Sequence, residues 1–223
     1  MGRLGLTAPV LVWCLMAGAT TGCTLTVAGL GAKPTAEPPL WEPVVDVDAA
    51  MLDLPQMRGI TGAGEDLTVI PSMDSDYPVD IDLLARDAPR PCRFMFAETE
   101  VFGAYRNGST TGVIDDFHKV TYQNPPEAAL ISQAAAAYPD AATARRMFSD
   151  LVAKSTECAQ TSFGQVYLGD VVSEDATLHT RASAECGRDY QLKSVVLAEV
   201  TFCPYAESVP RIVMTNLLRN VPG

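Results

Sequence analysis

Two histidines, six cysteines and several close-set carboxylates are the residues of this 223-residue chain whose types could support chemistry. His118 and His179 are each a candidate general base. His179 lies in Thr177-Leu178-His179-Thr180, an alternating pattern that places a polar side chain on the solvated face of a strand. Asp115-Asp116, beside Phe117-His118, suggests an acid pair of the kind glycosidases use, but adjacent strand residues point to opposite faces and cannot act together. Asp74, Asp76, Asp80 and Asp82 have the outline of a calcium loop. The glycine required at its sixth position is Val79, the glutamate required at its twelfth is Ala85, and Pro78 interrupts it, so an EF-hand is excluded and the default reading is a solvated acidic loop. Gly108-Ser109-Thr110-Thr111-Gly112 does not centre a serine between glycines as a nucleophile elbow requires, and reads as a turn. Cys92, Cys158, Cys186 and Cys203 form no CxxC pair, and two histidines in the whole chain make a zinc site hard to assemble. Neither a glycine-rich nucleotide loop nor a His-Arg-Asp segment is present, so kinase chemistry is excluded. These residues predict no catalytic site, no metal and no cofactor.

The remaining two cysteines, Cys14 and Cys23, belong to the N-terminus. Arg3, an apolar run over residues 6–19 and then Thr20-Thr21-Gly22-Cys23 describe a secretory signal, because the run is too short to span a bilayer. Cysteine straight after Gly22 resembles a bacterial lipobox, in which the thiol receives diacylglycerol and cleavage leaves Cys23 as the new N-terminus. The position three before it, usually leucine, is Thr20. Residues 1–22 are therefore expected to be a lipoprotein signal peptide and Cys23 the lipidation site. Residues 23–43 are small, polar and proline-bearing, with Pro34, Pro38, Pro39 and Pro43, and are expected to form a flexible stalk whose one aromatic side chain, Trp41, docks on the domain.

Composition beyond the stalk is that of an ordinary globular domain, with 48% hydrophobic and 19% charged residues over the chain. A net charge of −11 and the lack of any Lys/Arg cluster exclude nucleic acid as a partner. The same charge disfavours adhesion to anionic headgroups, so membrane contact is assigned to the acyl chains. Four cysteines in an exported domain suggest two disulfides, and four allow three pairings. Cys186 sits just before a strand-like run that ends at Cys203, which favours pairing these two and leaves Cys92 for Cys158.

Helices and strands interleave from residue 44 onward. A short helical turn is expected at 46–52. Asp53-Leu54-Pro55-Gln56 has the cap, first-turn proline and back-reaching Gln of a helix start, with Gly59 or Gly62 to end it. Residues 66–70, 93–96 and 113–123 are strand-like, and Asn124-Pro125-Pro126 breaks the last run. Pro139-Asp140 opens a helix whose Ala141, Ala144, Phe148, Leu151 and Val152 share one face and whose far end delivers Cys158. Residues 161–172, 175–183 and 189–202 read as three strands of a meander, and 206–221 as a packed amphipathic helix. The fold class is α+β, an antiparallel β-sheet flanked by helices in a single domain over 44–223.

This order of lipobox, stalk, cysteine, helix ending in cysteine, meander and terminal helix is similar to an actinobacterial family, the PknH-like extracellular sensor domains. Most of the resemblance is carried by 141–158, with Ala-Ala-Thr-Ala-Arg-Arg-Met-Phe and the cysteine near its end, and by Val195-Val196-Leu197-Ala198-Glu199-Val200-Thr201-Phe202-Cys203. The resemblance implies pairing of Cys92 with Cys158 and Cys186 with Cys203. It also implies a strand over 130–138, where alanine propensity alone would give helix. It further implies a non-catalytic, extracytoplasmic sensor with a groove beside the sheet, held at the cell membrane by its N-terminal lipid and binding an envelope ligand or partner protein not identifiable from sequence. Two alternatives are a cell-envelope hydrolase and a structural protein-docking module. Binding predicts an apolar and aromatic groove with a few polar anchors, and hydrolysis predicts convergent carboxylates with one pKa raised.

Overall fold

A computed structural model describes residues 45–80, 85–106, 112–182 and 186–222. The signal segment with Cys14 and Cys23, the stalk with Trp41, Asp82 and most of the turn expected at 108–112 lie outside the described residues. Seven strands form one antiparallel sheet: β1 (Thr68–Val69), β2 (Asp116–Asn124), β3 (Ala129–Ala137), β4 (Asp170–Glu174), β5 (Thr177–Arg181), β6 (Gly187–Lys193) and β7 (Val196–Cys203), in the order β1-β2-β3-β7-β6-β5-β4. β4 to β7 are a meander, and β3 enters beside β7 at the centre.

Helices cover both faces. On one face lie α1 (Leu54–Thr61), the preceding turn Asp48–Ala50 and α5 (Ser208–Asn220), burying Val120, Ile131, Val200 and Phe202 of the sheet against Met57, Val213 and Leu217. On the other lie the 3-10 helix Arg90–Met95, α2 (Glu98–Phe102), α3 (Ala141–Ala159) and α4 (Ser162–Tyr167), which bury Phe117, Leu178 and Leu197 against Phe94, Phe102, Phe148 and Leu151. Burying a Phe or Leu side chain contributes about 2 kcal/mol, so the two clusters hold the layers together.

Local signals explain most of these elements. Asp53 caps α1 by accepting from Gln56 N at 2.8 Å while the Gln56 side chain accepts from Asp53 N at 2.9 Å, and Gly62 ends the helix at φ +73°, a conformation suited to glycine. Asp140 caps α3 by accepting from Thr143 N at 2.7 Å, and Cys158 falls one residue before the helix end. The strand implied over 130–138 is β3, whose Ala134, Ala135, Ala136 and Ala137 are all buried. Alanine is a poor strand former, but here it is flanked by β2 and β7 and covered on both faces, and tertiary burial overrides propensity.

Three expectations are corrected. Residues 93–96 are not a strand but part of the 3-10 helix Arg90–Met95, which Pro91 starts and which Cys92 ties to α3. The strand expected over 161–172 begins as α4, because the Thr161 hydroxyl accepts from Gly164 N at 2.9 Å and caps a helix, leaving only β4 extended. The single strand at 189–202 is the hairpin β6–β7, reversed at Ser194, which takes φ +55° without the glycine or asparagine that would flag the turn. Two further elements are shorter than expected: 46–52 contributes the turn Asp48–Ala50, and 66–70 contributes β1.

Candidate functional site

Both cysteine pairs come to disulfide distance: Cys92 and Cys158 with Cα atoms 4.9 Å apart, Cys186 and Cys203 with Cα atoms 4.2 Å apart. The first pair pins the 3-10 helix Arg90–Met95 to the end of α3. That attachment holds the Met95 carbonyl above the sheet, where Arg188 Nη2 donates to it at 2.6 Å. β6 and β7 set the neighbours of Arg188 by register, with Arg188 opposite Thr201 and Tyr190 opposite Glu199. Glu199 Oε1 accepts from the Thr201 hydroxyl at 2.6 Å and lies 3.8 Å from Arg188 Nη1. Further along the same face Lys119 on β2 pairs with Glu98 of α2, whose other oxygen accepts from Val79 N at 2.9 Å. Two cations and two anions thus form a recessed row between the sheet and its helices.

Beside this row is a recess of about 180 Å³, bounded by Met95, Tyr167, Leu168, Thr180, Arg188 and the Cys186–Cys203 pair. Tyr167, 57% exposed, lines it, and its ring is backed by Phe163 at 4.7 Å, which in turn lies 6.1 Å from Phe96 between ring centroids. Burial disfavours the charged Arg188, but the neighbouring Tyr190 and Glu199 outweigh it and hold the guanidinium pKa above its ordinary value. Burial pushes the Tyr190 hydroxyl far above the usual tyrosine range. The recess therefore offers a permanent cation, the Thr180 and Thr201 hydroxyls and the exposed Tyr167 ring, which suits recognition of a ligand with a flat apolar face and a polar end.

The histidines occupy two other places. His179 Nδ1 lies 2.9 Å from Asp189 Oδ1, an oxygen that Arg181 Nη1 also approaches at 2.6 Å. Arg181 in turn forms a two-point pair with Glu207, at 2.6 and 2.9 Å, and lies over the Phe202 ring. His179 is on the partly solvated face that alternation indicates, but Asp189 beneath it is buried. Nothing in the local pattern around Asp189 marks it, because its partners His179 and Arg181 come from the neighbouring strand β5.

His118, on β2, carries Asp48 Oδ1 at 2.6 Å from Nδ1 and Asp74 Oδ1 at 3.0 Å from Nε2. Burial opposes its protonation, but the hydrogen bond to Asp74 and the charge of Asp48 outweigh that and raise its pKa. Asp48, Asp76 and His118 each offer a ligand atom within 4.8 Å of the others, so these are the described residues able to hold a metal ion. Part of the acidic loop is thereby gathered onto a histidine, while Asp80 is exposed and absent from the group. Asp115 and Asp116 are used apart: Asp115 accepts from Arg106 at 3.1 Å, and Asp116 accepts from Val47 N at 2.9 Å. Sequence reasoning missed Glu98, Arg188 and Glu199, each charged at a strand or short-helix position that local periodicity assigns to either face.

The family model for the PknH-like extracellular domain matches residues 43–216. Among solved structures, the crystal structure of the extracellular domain of PknH from Mycobacterium tuberculosis is similar, with a TM-score of 0.51 at 14% sequence identity. The alignment covers 78% of this chain and 93% of that one. At this identity the likeness speaks for the fold alone. No match was found among curated proteins. With the family pattern extending over most of the chain, from just before the first described residue into α5, this protein belongs to the family of PknH-like extracellular domains.

Proposed function

We propose that this protein is a membrane-anchored extracytoplasmic lipoprotein whose domain is a non-catalytic binding module of the sensor type, receiving its ligand or partner in the recess beside Arg188. The observation that carries this reading is the recess itself: Tyr167 and Met95 beside Arg188, Thr180 and the Cys186–Cys203 pair, on the fold of an extracellular domain. Anchoring rests on the lipobox-like Thr20-Thr21-Gly22-Cys23, and among the described residues no helix is long and apolar enough to cross a membrane. Among the described residues, the carboxyls with displaced titration, Asp140 and Glu207, are held low by Thr143 and Arg181, opposite to the upward shift a general acid needs, which supports the binding reading.

The test is mass spectrometry of the protein extracted from its own envelope, run native and denatured. Denatured mass is expected to show cleavage before Cys23, added acyl chains and the loss of four hydrogens for two disulfides. An unmodified N-terminus would refute the anchor. An extra mass present only in the native spectrum, and lost on Tyr167→Ala, would support binding in the recess; a ligand-free spectrum or one unchanged by Tyr167→Ala would refute it. Tyr167 is exposed, so its truncation leaves the core intact.

A further inference from the structure

We propose that Asp48, Asp76 and His118 form a binding site for a divalent transition-metal ion of the zinc class, with Asp74 orienting the histidine.

The imidazole has the arrangement of a metal ligand held by an outer carboxylate. Its Nε2 faces Asp74 Oδ1 at 3.0 Å, and a proton placed there leaves Nδ1, which has Asp48 Oδ1 at 2.6 Å, as the ring's ligand atom. Histidines that bind metals characteristically donate their other ring N–H to a carboxylate, which fixes the tautomer and raises ligand basicity. Nδ1 is buried and makes no geometrically acceptable hydrogen bond, although Asp48 Oδ1 lies only 2.6 Å from it. Ligand atoms around tetrahedral zinc lie about 3.4 Å apart, given bonds of about 2.0–2.2 Å. The three donor atoms here all lie within 4.8 Å of one another, so small side-chain movements bring them to that spacing.

The three donors come from separate segments, each pinned by its own backbone bonds. Ser75, between the two loop carboxylates, exchanges both backbone hydrogen bonds with Lys119, each at 3.0 Å, so Asp74 and Asp76 are fastened beside His118. The Asp48 turn is held by Val47 N donating to Asp116 at 2.9 Å and by Asp48 N donating to Asp46 at 3.0 Å. His118 rises from β2 with 18% of its side chain exposed, so an ion reaches it from solvent. One imidazole with two carboxylates matches zinc, cobalt or nickel, whereas calcium requires six or more oxygens. Binding would tie the first described turn of the domain and the 74–76 loop to the sheet.

The experiment uses the full chain in detergent, stripped with chelator, titrated calorimetrically with Zn²⁺ and separately with Ca²⁺, and loaded with Co²⁺ for absorption spectra. The expected result is one Zn²⁺ per chain, no comparable heat from Ca²⁺, and the intense visible bands of tetrahedral cobalt. Asp76→Asn, at an exposed position that leaves the fold intact, is expected to weaken Zn²⁺ at least about tenfold. Asp74→Asn, one shell out, is expected to cost about 10- to 100-fold. Absence of zinc uptake, or uptake that survives both Asp76→Asn and His118→Gln unchanged, would overturn the proposal; the second result would place the ion on another group, such as an unacylated Cys23.

Discussion

The side-chain amide of Gln133 closes on both backbone groups of Leu52, donating from Nε2 to the Leu52 carbonyl at 2.6 Å and accepting at Oε1 from the Leu52 N–H at 3.0 Å. Gln133 is fully buried on β3 and Leu52 precedes the Asp53 cap, so one polar side chain fastens the entry of α1 to the centre of the sheet. The Tyr122 hydroxyl adds a third bond by donating to Leu52 O at 2.9 Å.

Replacing Gln133 by leucine leaves the Leu52 N–H without its partner in a dry site, and a buried orphan of this kind costs about 1–3 kcal/mol. Urea unfolding of Gln133→Leu is expected to show a loss of about 2–3 kcal/mol at an unchanged slope. A loss below about 0.5 kcal/mol would mean that water or a backbone shift replaces the amide.

Asp189 is a buried carboxylate neutralised by Arg181, with His179 as a second neighbour. Breaking a buried pair by removing one member costs about 3–5 kcal/mol, because the other charge stays in the interior. Arg181→Met is expected to fall at the lower end of that range, since 27% of the Arg181 side chain is exposed. Adding Asp189→Leu should recover part of the loss, and a double variant no better than the single would contradict the pairing.

The two cysteine pairs should differ in what they contribute. Cys92 and Cys158 are 66 residues apart and Cys186 and Cys203 are 17 apart. Loop entropy then gives about 4 kcal/mol for the first and about 3 kcal/mol for the second. Chemical unfolding of the Cys92→Ala/Cys158→Ala and Cys186→Ala/Cys203→Ala variants should show that order. The first variant should also free the Met95 carbonyl from Arg188, and so weaken any ligand held in the recess more than the second does.

Acid sensitivity is expected at the start of α3. Hydrogen bonds from Thr143, through its backbone N–H and its hydroxyl, hold the Asp140 carboxyl below its ordinary pKa. A carboxyl lowered on folding stabilises the fold above its unfolded pKa and loses that contribution as pH falls through the folded value. Thermal unfolding between pH 7 and pH 2 should therefore fall less steeply for Asp140→Asn, which keeps the cap without the charge. An identical acid limb in both proteins would count against this.

Elements that depend on neighbours along the chain are legible in the amino-acid sequence. Asp53 with Gln56, Asp140 with Thr143, and the apolar face of Ala144, Phe148 and Leu151 all act within one or two helical turns, and these elements lie where the local chemistry places them. Strand β3 is different: its alanines favour helix locally, and the sheet claims them because β2 and β7 flank them and helices cover both faces. The family resemblance, not propensity, indicated that strand. Ser194 and Thr161 mark the opposite failure, in which a hairpin reversal and a helix cap use residues without a distinctive local signature. The sites arise from contacts that exist once the chain has folded. Arg188 and Glu199 meet because β6 and β7 pair in one register, and Asp48, Asp74 and His118 meet although they are far apart in the chain. Charge and ligand geometry act through space over a few ångströms, and spacing along a chain does not encode that distance until the strands have paired.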